Sequence, residues 1–149
     1  MNSTTQIKSG LLAKYYQGLD WQGEPYEVFV DRFFSIPIQP PVPFSASWEG
    51  TLHIDIPGDY VFRLRATNRA QLFIDNTRVI NLDAFNISHA NERHEAEMSI
   101  NLSAGSHTLR ILYSYEGGDR DLQLFWKKPD NELDRLPFDL LTPRDPDAP

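Results

Sequence analysis

The sequence predicts an all-β domain, an antiparallel sandwich or barrel with little helix, and three observations carry that reading. Apolar residues recur at every second position in run after run, as in 57–66, where Tyr60, Phe62, Leu64 and Ala66 alternate with Val61, Arg63 and Arg65. That period of two marks a strand with one face buried and one face wet. No long stretch shows the 3.6-residue apolar period of a helix. The runs are short and are punctuated by Gly, Pro and Asn turns, the pattern of a sandwich or barrel.

Taken in order, residues 10–16 (GLLAKYY) read as a short apolar-aromatic strand, followed by a turn-rich stretch carrying Trp21. A second short strand is expected at 26–30, and 31–34 reads as a strand end or a helical turn. Pro37, Pro40, Pro41 and Pro43 exclude a ladder or helix from 36–43, since each lacks an N–H donor. From Phe44 the alternation returns, with Phe44, Ala46 and Trp48 against Ser45, Ser47 and Glu49, then Leu52, Ile54 and Ile56 up to the Pro57-Gly58-Asp59 turn. The strand at 60–66 is expected to lead through a short polar tip, Thr67, Asn68 and Arg69, into a partner strand at 70–75, a central hairpin. Asp75-Asn76 suits the tight turn after it, because both side chains tolerate positive φ. Residues 82–93 lose alternation and read as a long loop. Ala96, Met98, Ile100 and Leu102 restore it, as do Leu109, Ile111 and Tyr113 after the 103–106 turn. Loop 116–121 separates these from Leu122, Leu124 and Trp126.

Bulk properties bound the function. A chain of 149 residues is the size of one domain and can bury a substantial core. Its 21 acidic against 14 basic residues give a formal net charge of −7. This argues against a nucleic-acid partner, which requires a basic footprint. No apolar run approaches the ~20 residues of a membrane helix, so direct membrane insertion is not expected. Cysteine is absent, which removes disulfides, thiol nucleophiles and cysteine metal sites together. Residues 1–9 read as a flexible lead-in without a signal peptide, 10–142 as the domain, and 143–149, rich in Pro and Asp, as a linker or tail.

Several blocks together resemble the PA14 domain family. They are GLLAKYY at 10–16, FSASWEG at 44–50, PGDYVFRL at 57–64, AQLFID at 70–75, LSAGSHTLRILY at 102–113 and LQLFW at 122–126. The resemblance covers roughly residues 10–142 and implies an antiparallel β-sandwich or barrel of PA14 type. It also implies a module attached to extracellular or cell-surface proteins such as glycosidases, glycosyltransferases, adhesins and toxins. Its partners would then be a glycan or neighbouring domains of the parent protein. In the family's carbohydrate-binding adhesins, two adjacent aspartates on the tip loop hold calcium, which holds sugar hydroxyls. The matching positions here are Thr67 and Asn68, which offer neutral oxygens only. Calcium favours several oxygens with negative charge among them, so no cofactor is expected.

The expected ligand-binding residues are Thr67, Asn68 and Arg69 on the tip, with Asp119, Arg120 and Asp121 in loop 116–121; loop 82–91 would flank them. One reading has Asn68, Asp119 and Asp121 meeting at one end of the sandwich to bind sugar hydroxyls. The other is a solvated loop. Trp48 and Trp126 fall on inward registers and belong to the core. Trp21 and Phe73 are off-register and are either exposed platforms for a sugar ring or covers for a sheet edge. Arg63 and Arg65 belong on the outer face, paired with acids. His89 and His94 are five apart, whereas a zinc-protease helix places its two histidines four apart. Asn2, Asn86 and Asn101 head sequons that matter only on a eukaryotic secretory route. No catalytic constellation is legible. The expectation is a non-catalytic carbohydrate-binding module, with a structural or protein-interaction accessory domain as the alternative.

Overall fold

A computed structural model describes residues 9–34, 42–82 and 93–147. In chain order the strands are β1 (Leu11–Gln17), β2 (Glu27–Asp31), β3 (Phe44–Ile54), β4 (Gly58–Ala66), β5 (Arg69–Ile74) and β6 (Thr77–Asn81). They continue with β7 (His94–Leu102), β8 (Gly105–Tyr115), β9 (Leu122–Lys127), β10 (Asp134–Arg135) and β11 (Leu141–Pro143). Among the described residues, helix amounts to one 3-10 turn, Phe138–Leu140. The fold is therefore the all-β sandwich that the alternation predicts.

Two antiparallel sheets face each other. The larger runs β2-β1-β3-β8-β5-β6, with β11 also on β3; the smaller runs β10-β9-β4-β7. The longest ladder pairs β3 with β8 from Phe44↔Tyr115 to Ile54↔Gly105. Its counterpart in the smaller sheet pairs β4 with β7 from Gly58↔Leu102 to Ala66↔His94. The inward registers named from sequence, including Phe62, Leu64, Leu72, Ile111 and Tyr113, fill the space between the sheets. Trp48 is fully buried, and Trp126 stacks on Tyr60 at 5.6 Å between centroids. Burying each such side chain contributes about 2–3 kcal/mol.

One expectation is corrected. The runs on either side of the Thr67–Asn68 tip do not form a hairpin. β4 pairs with β7 and β9 in the smaller sheet, while β5 pairs with β6 and β8 in the larger one. Thr67 and Asn68 instead carry the chain across from one sheet to the other. Alternation fixes which face of a strand is buried but not which strand lies beside it, and two adjacent runs satisfy the same pattern either way. Pairing of sequence neighbours does occur at β5–β6, where Asp75 (φ 51°) and Asn76 (φ 65°) make the two-residue turn.

Chain ends meet on β3. β1 covers its edge from Phe44 to Glu49, and β11 continues along that edge from Gly50 to Leu52. At the junction the Gly10 N–H donates to the Leu141 carbonyl (2.9 Å). Gly50 sits where they join, and a Cβ there would overlap the Thr142 carbonyl and come within 2.7 Å of Leu11 Cδ2. Pro143 lies within β11, and Arg144 forms an ion pair with Glu49 at 2.6 Å, so this part of 143–149 is packed against the sheet. Residues 31–34 form a strand end: Asp31 closes β2, is buried, and accepts from Trp48 Nε1 at 3.0 Å. The expected loop at 82–91, with Asn86 and His89, lies outside the described residues apart from Leu82, as does nearly all of the proline-rich stretch.

Candidate functional site

β4 ends at Ala66, opposite Leu122 and His94, and β5 begins at Arg69, opposite Ser114. Residues 67–68 and loop 116–121 therefore leave the sheets at the same end. All six residues expected to bind ligand are gathered there, but they are engaged very differently.

Thr67 is fully buried. Its N–H donates to the Asp121 carbonyl (3.0 Å), and its hydroxyl donates to the Asp119 carbonyl (2.6 Å). The same oxygen accepts from the Asp121 N–H at 3.1 Å. Tyr113 Oη lies 3.1 Å from it, and since the threonine proton is already directed at Asp119, tyrosine is the donor. Burial pushes the Tyr113 phenol up to about 12, so it keeps the proton this bond needs. A hydroxyl has one proton and two acceptor positions, and all three are occupied. Thr67 has no capacity left for a ligand.

Asn68 is also buried, in the left-handed region (φ 62°) that asparagine tolerates. Its Oδ1 accepts from the Glu116 N–H (3.0 Å), and its Nδ2 donates to the Gly117 carbonyl (3.1 Å). The amide thus pairs with the loop backbone as another strand would. Tyr115 Oη donates to the Gly118 carbonyl, closing the loop from the other side.

The Asp121 carboxylate accepts from Arg93 Nε (2.6 Å) and Gln123 Nε2 (3.0 Å), with Arg65 Nε at 4.0 Å; only 12% of the side chain is exposed. Arg65 donates to Gln123 Oε1 (2.6 Å) and lies over the Phe125 ring at 5.2 Å. Arg63 meets Glu97 and Glu95 on the outer face, as alternation implied. Thr67, Asn68 and Asp121 hence hold loop 116–121 in shape. Arg69 is half-buried at the head of β5, while Asp119 and Arg120 are exposed on the loop.

These residues do not fit a calcium ion. The hydroxyl of Thr67 is saturated, the Asn68 carbonyl oxygen faces an N–H, and among the described residues no three Asp, Glu or His side chains converge on one point. Trp21 and Phe73 are occupied too. Trp21 lies against β3, its Nε1 donating to the Ala46 carbonyl (2.8 Å), and the Arg110 guanidinium covers Phe73 at 4.3 Å.

Beside loop 116–121 the sandwich opens into a cleft of about 680 Å³. It lies where the end of β2 in one sheet and the β9–β10 edge of the other draw apart. Leu122, Leu124, Leu136, Phe34 and Phe138 supply apolar lining. Phe34 packs edge-on against Trp48 and Phe138, with centroids 5.0 and 5.2 Å away. Phe33, its neighbour in sequence, is 66% exposed. Arg120 and Asp121 line one side, with Arg32, Arg135 and Asp139 elsewhere around it. Sequence reasoning reached Arg120 and Asp121 but missed Arg32, Phe33 and Arg135. The available signal was Phe33-Phe34, two adjacent aromatics that no alternating strand can bury together.

Sheet order, crossing loops and a side cleft define a small two-sheet β module. The chain belongs to the PA14 domain family, whose match spans residues 8–139. Similar solved structures include an anti-sigma factor domain-containing protein, 19% identical with a TM-score of 0.81, covering 94% of this chain and 49% of that one. This chain thus spans about half the length of that protein. A PA14 sugar-binding domain from an RTX adhesin is 14% identical with a TM-score of 0.73, covering 91% of this chain and 99% of that one. The Epithelial Adhesin 9 A domain from Candida glabrata, in complex with Galb1-4GlcNAc, is 10% identical with a TM-score of 0.68 over 91% of this chain and 89% of its own. No curated protein matches the sequence. Among the described residues no helix is long and apolar enough to cross a membrane.

Proposed function

We propose that the chain is a non-catalytic carbohydrate-binding module of a larger extracellular or cell-surface protein. The observation that carries this reading is the cleft beside loop 116–121, where an apolar floor meets charged groups. A sugar ring presents C–H faces and a rim of hydroxyls, so it suits a site of that mixed character. Phe33 and Phe34 offer apolar surface, and Arg120 and Asp139 offer hydrogen bonds to hydroxyls. Membership of the PA14 family supports the reading, as does the sugar-binding description of the RTX adhesin domain. The sugar would be held directly by side chains, because Thr67 and Asn68 are bonded to the protein's own loop.

A glycan array followed by calorimetry tests this. Binding should weaken in Arg120→Ala and Phe33→Ala, and the absence of any sugar ligand for the folded chain would sink the proposal. A second reading, a structural or protein-interaction accessory domain, is favoured by the inward engagement of Thr67 and Asn68. It gains if no sugar binds while deletion of the domain destabilises the parent protein.

A further inference from the structure

Resting on the carbohydrate reading, we propose that the cleft selects an acidic sugar, a uronic-acid unit whose carboxylate is held by Arg32 and Arg135. The charge distribution points there. The chain carries a formal net charge of −7, yet three guanidinium groups, Arg32, Arg120 and Arg135, line one cavity. Two aspartates share it. Asp121 is already neutralised by its ion pair with Arg93 and accepts a further hydrogen bond from Gln123, which leaves Asp139 as the opposing charge.

Several arginines outside the cavity have partners within the protein, and Arg120 is itself engaged. Arg63 meets Glu97, Arg65 meets Gln123 and the Phe125 ring, Arg110 covers Phe73, and Arg144 meets Glu49. Among the described residues neither Arg32 nor Arg135 forms an ion pair, and both are exposed around the same cavity. A guanidinium recognises a carboxylate through two parallel N–H···O bonds strengthened by the opposite charges, and the hydroxyls of a neutral sugar supply acceptors without that charge. Phe33, largely exposed beside Arg32, supplies an apolar face against which a pyranose ring can lie. A peptide carboxylate would satisfy the arginines but would not need that flat apolar surface, so the combination favours a sugar acid.

Titration calorimetry of the whole chain with trigalacturonate, its methyl ester, neutral galactotriose and tetraglutamate tests the assignment. Trigalacturonate should bind and the ester should bind roughly ten-fold or more weakly, the loss expected for charge-assisted hydrogen bonds. Arg32→Gln and Arg135→Gln should each reduce trigalacturonate binding to a similar degree with unchanged melting temperatures, since both side chains are exposed. Equal binding of acid and ester would overturn the acidic preference while leaving a neutral-sugar module intact. Equal binding of tetraglutamate would overturn it in favour of a peptide site. Trigalacturonate binding that survives both substitutions would also overturn it, and binding of no sugar at all would remove the carbohydrate reading with it.

Discussion

Thr67→Val tests whether the crossing between sheets is held by one hydroxyl. Valine keeps the shape of threonine and removes only the oxygen's bonding. Three partners then lose their counterpart: the Asp119 carbonyl, the Asp121 N–H and the Tyr113 phenol. Tyr113 is buried between the sheets, so its stranded O–H carries the larger penalty, about 1–3 kcal/mol. The two backbone groups lie in a half-exposed loop and can regain water, so together they add roughly 1 kcal/mol. The sum is a loss of about 2–4 kcal/mol, or on the order of 10 °C in melting temperature for a domain of this size. Urea unfolding at constant slope gives the free energy directly. Thr67→Ser keeps the hydroxyl and loses one buried methyl, so it should cost only about 1 kcal/mol. If the valine variant is as stable as the parent, or serine is as damaging as valine, the hydroxyl is not what holds loop 116–121.

Two further predictions concern the opposite end and the seam. His107 Nδ1 faces the Asp75 carboxylate at 2.6 Å and Nε2 faces the Ser103 carbonyl at 2.7 Å, so both ring nitrogens meet acceptors and the doubly protonated form fits best. The Asp75 hydrogen bond, aided by Ser103, raises the pKa above 6.5. The stabilisation is therefore complete below 6.5 and is lost as pH rises through the raised folded-state value. Chemical unfolding at about pH 6 and about pH 9 should show a decline in the parent that His107→Asn lacks; parallel profiles would refute it. Gly50→Ala should push β11 off β3 and lower stability by several kcal/mol, about the upper end of single substitutions, because a backbone carbonyl and Leu11 occupy the space. A melting temperature within about 2 °C of the parent would show that the seam can yield.

Much of the fold was legible because a half-buried strand writes its exposure into every second residue. Tyr60, Phe62, Leu64 and Ala66 point inward as their spacing requires. The route of the chain was not written there, since nothing in that pattern states that β4 and β5 belong to different sheets. The candidate site shows the same division. Thr67, Asn68 and loop 116–121 were expected at one end and are found there. A polar residue on a tip reads alike whether it faces solvent or its own backbone, so the inward bonding of Thr67, Asn68 and Asp121 was invisible. The cleft joins residues around 32, 120 and 135, and a juxtaposition so distant in sequence leaves no local trace.

The seam on β3 has a consequence for how such a unit can be carried. A polypeptide that comes in at Gly10 and has completed its circuit by Leu141 returns to within one hydrogen bond of its starting point. A host protein could therefore accommodate the whole unit as a side branch, spliced into a surface loop with little displacement of the loop's two stems. Pulled from both stems, the unit would yield first at the strip where β1 and β11 lie end to end, while the opposite pole, with its crossing loops, remained outside the line of force.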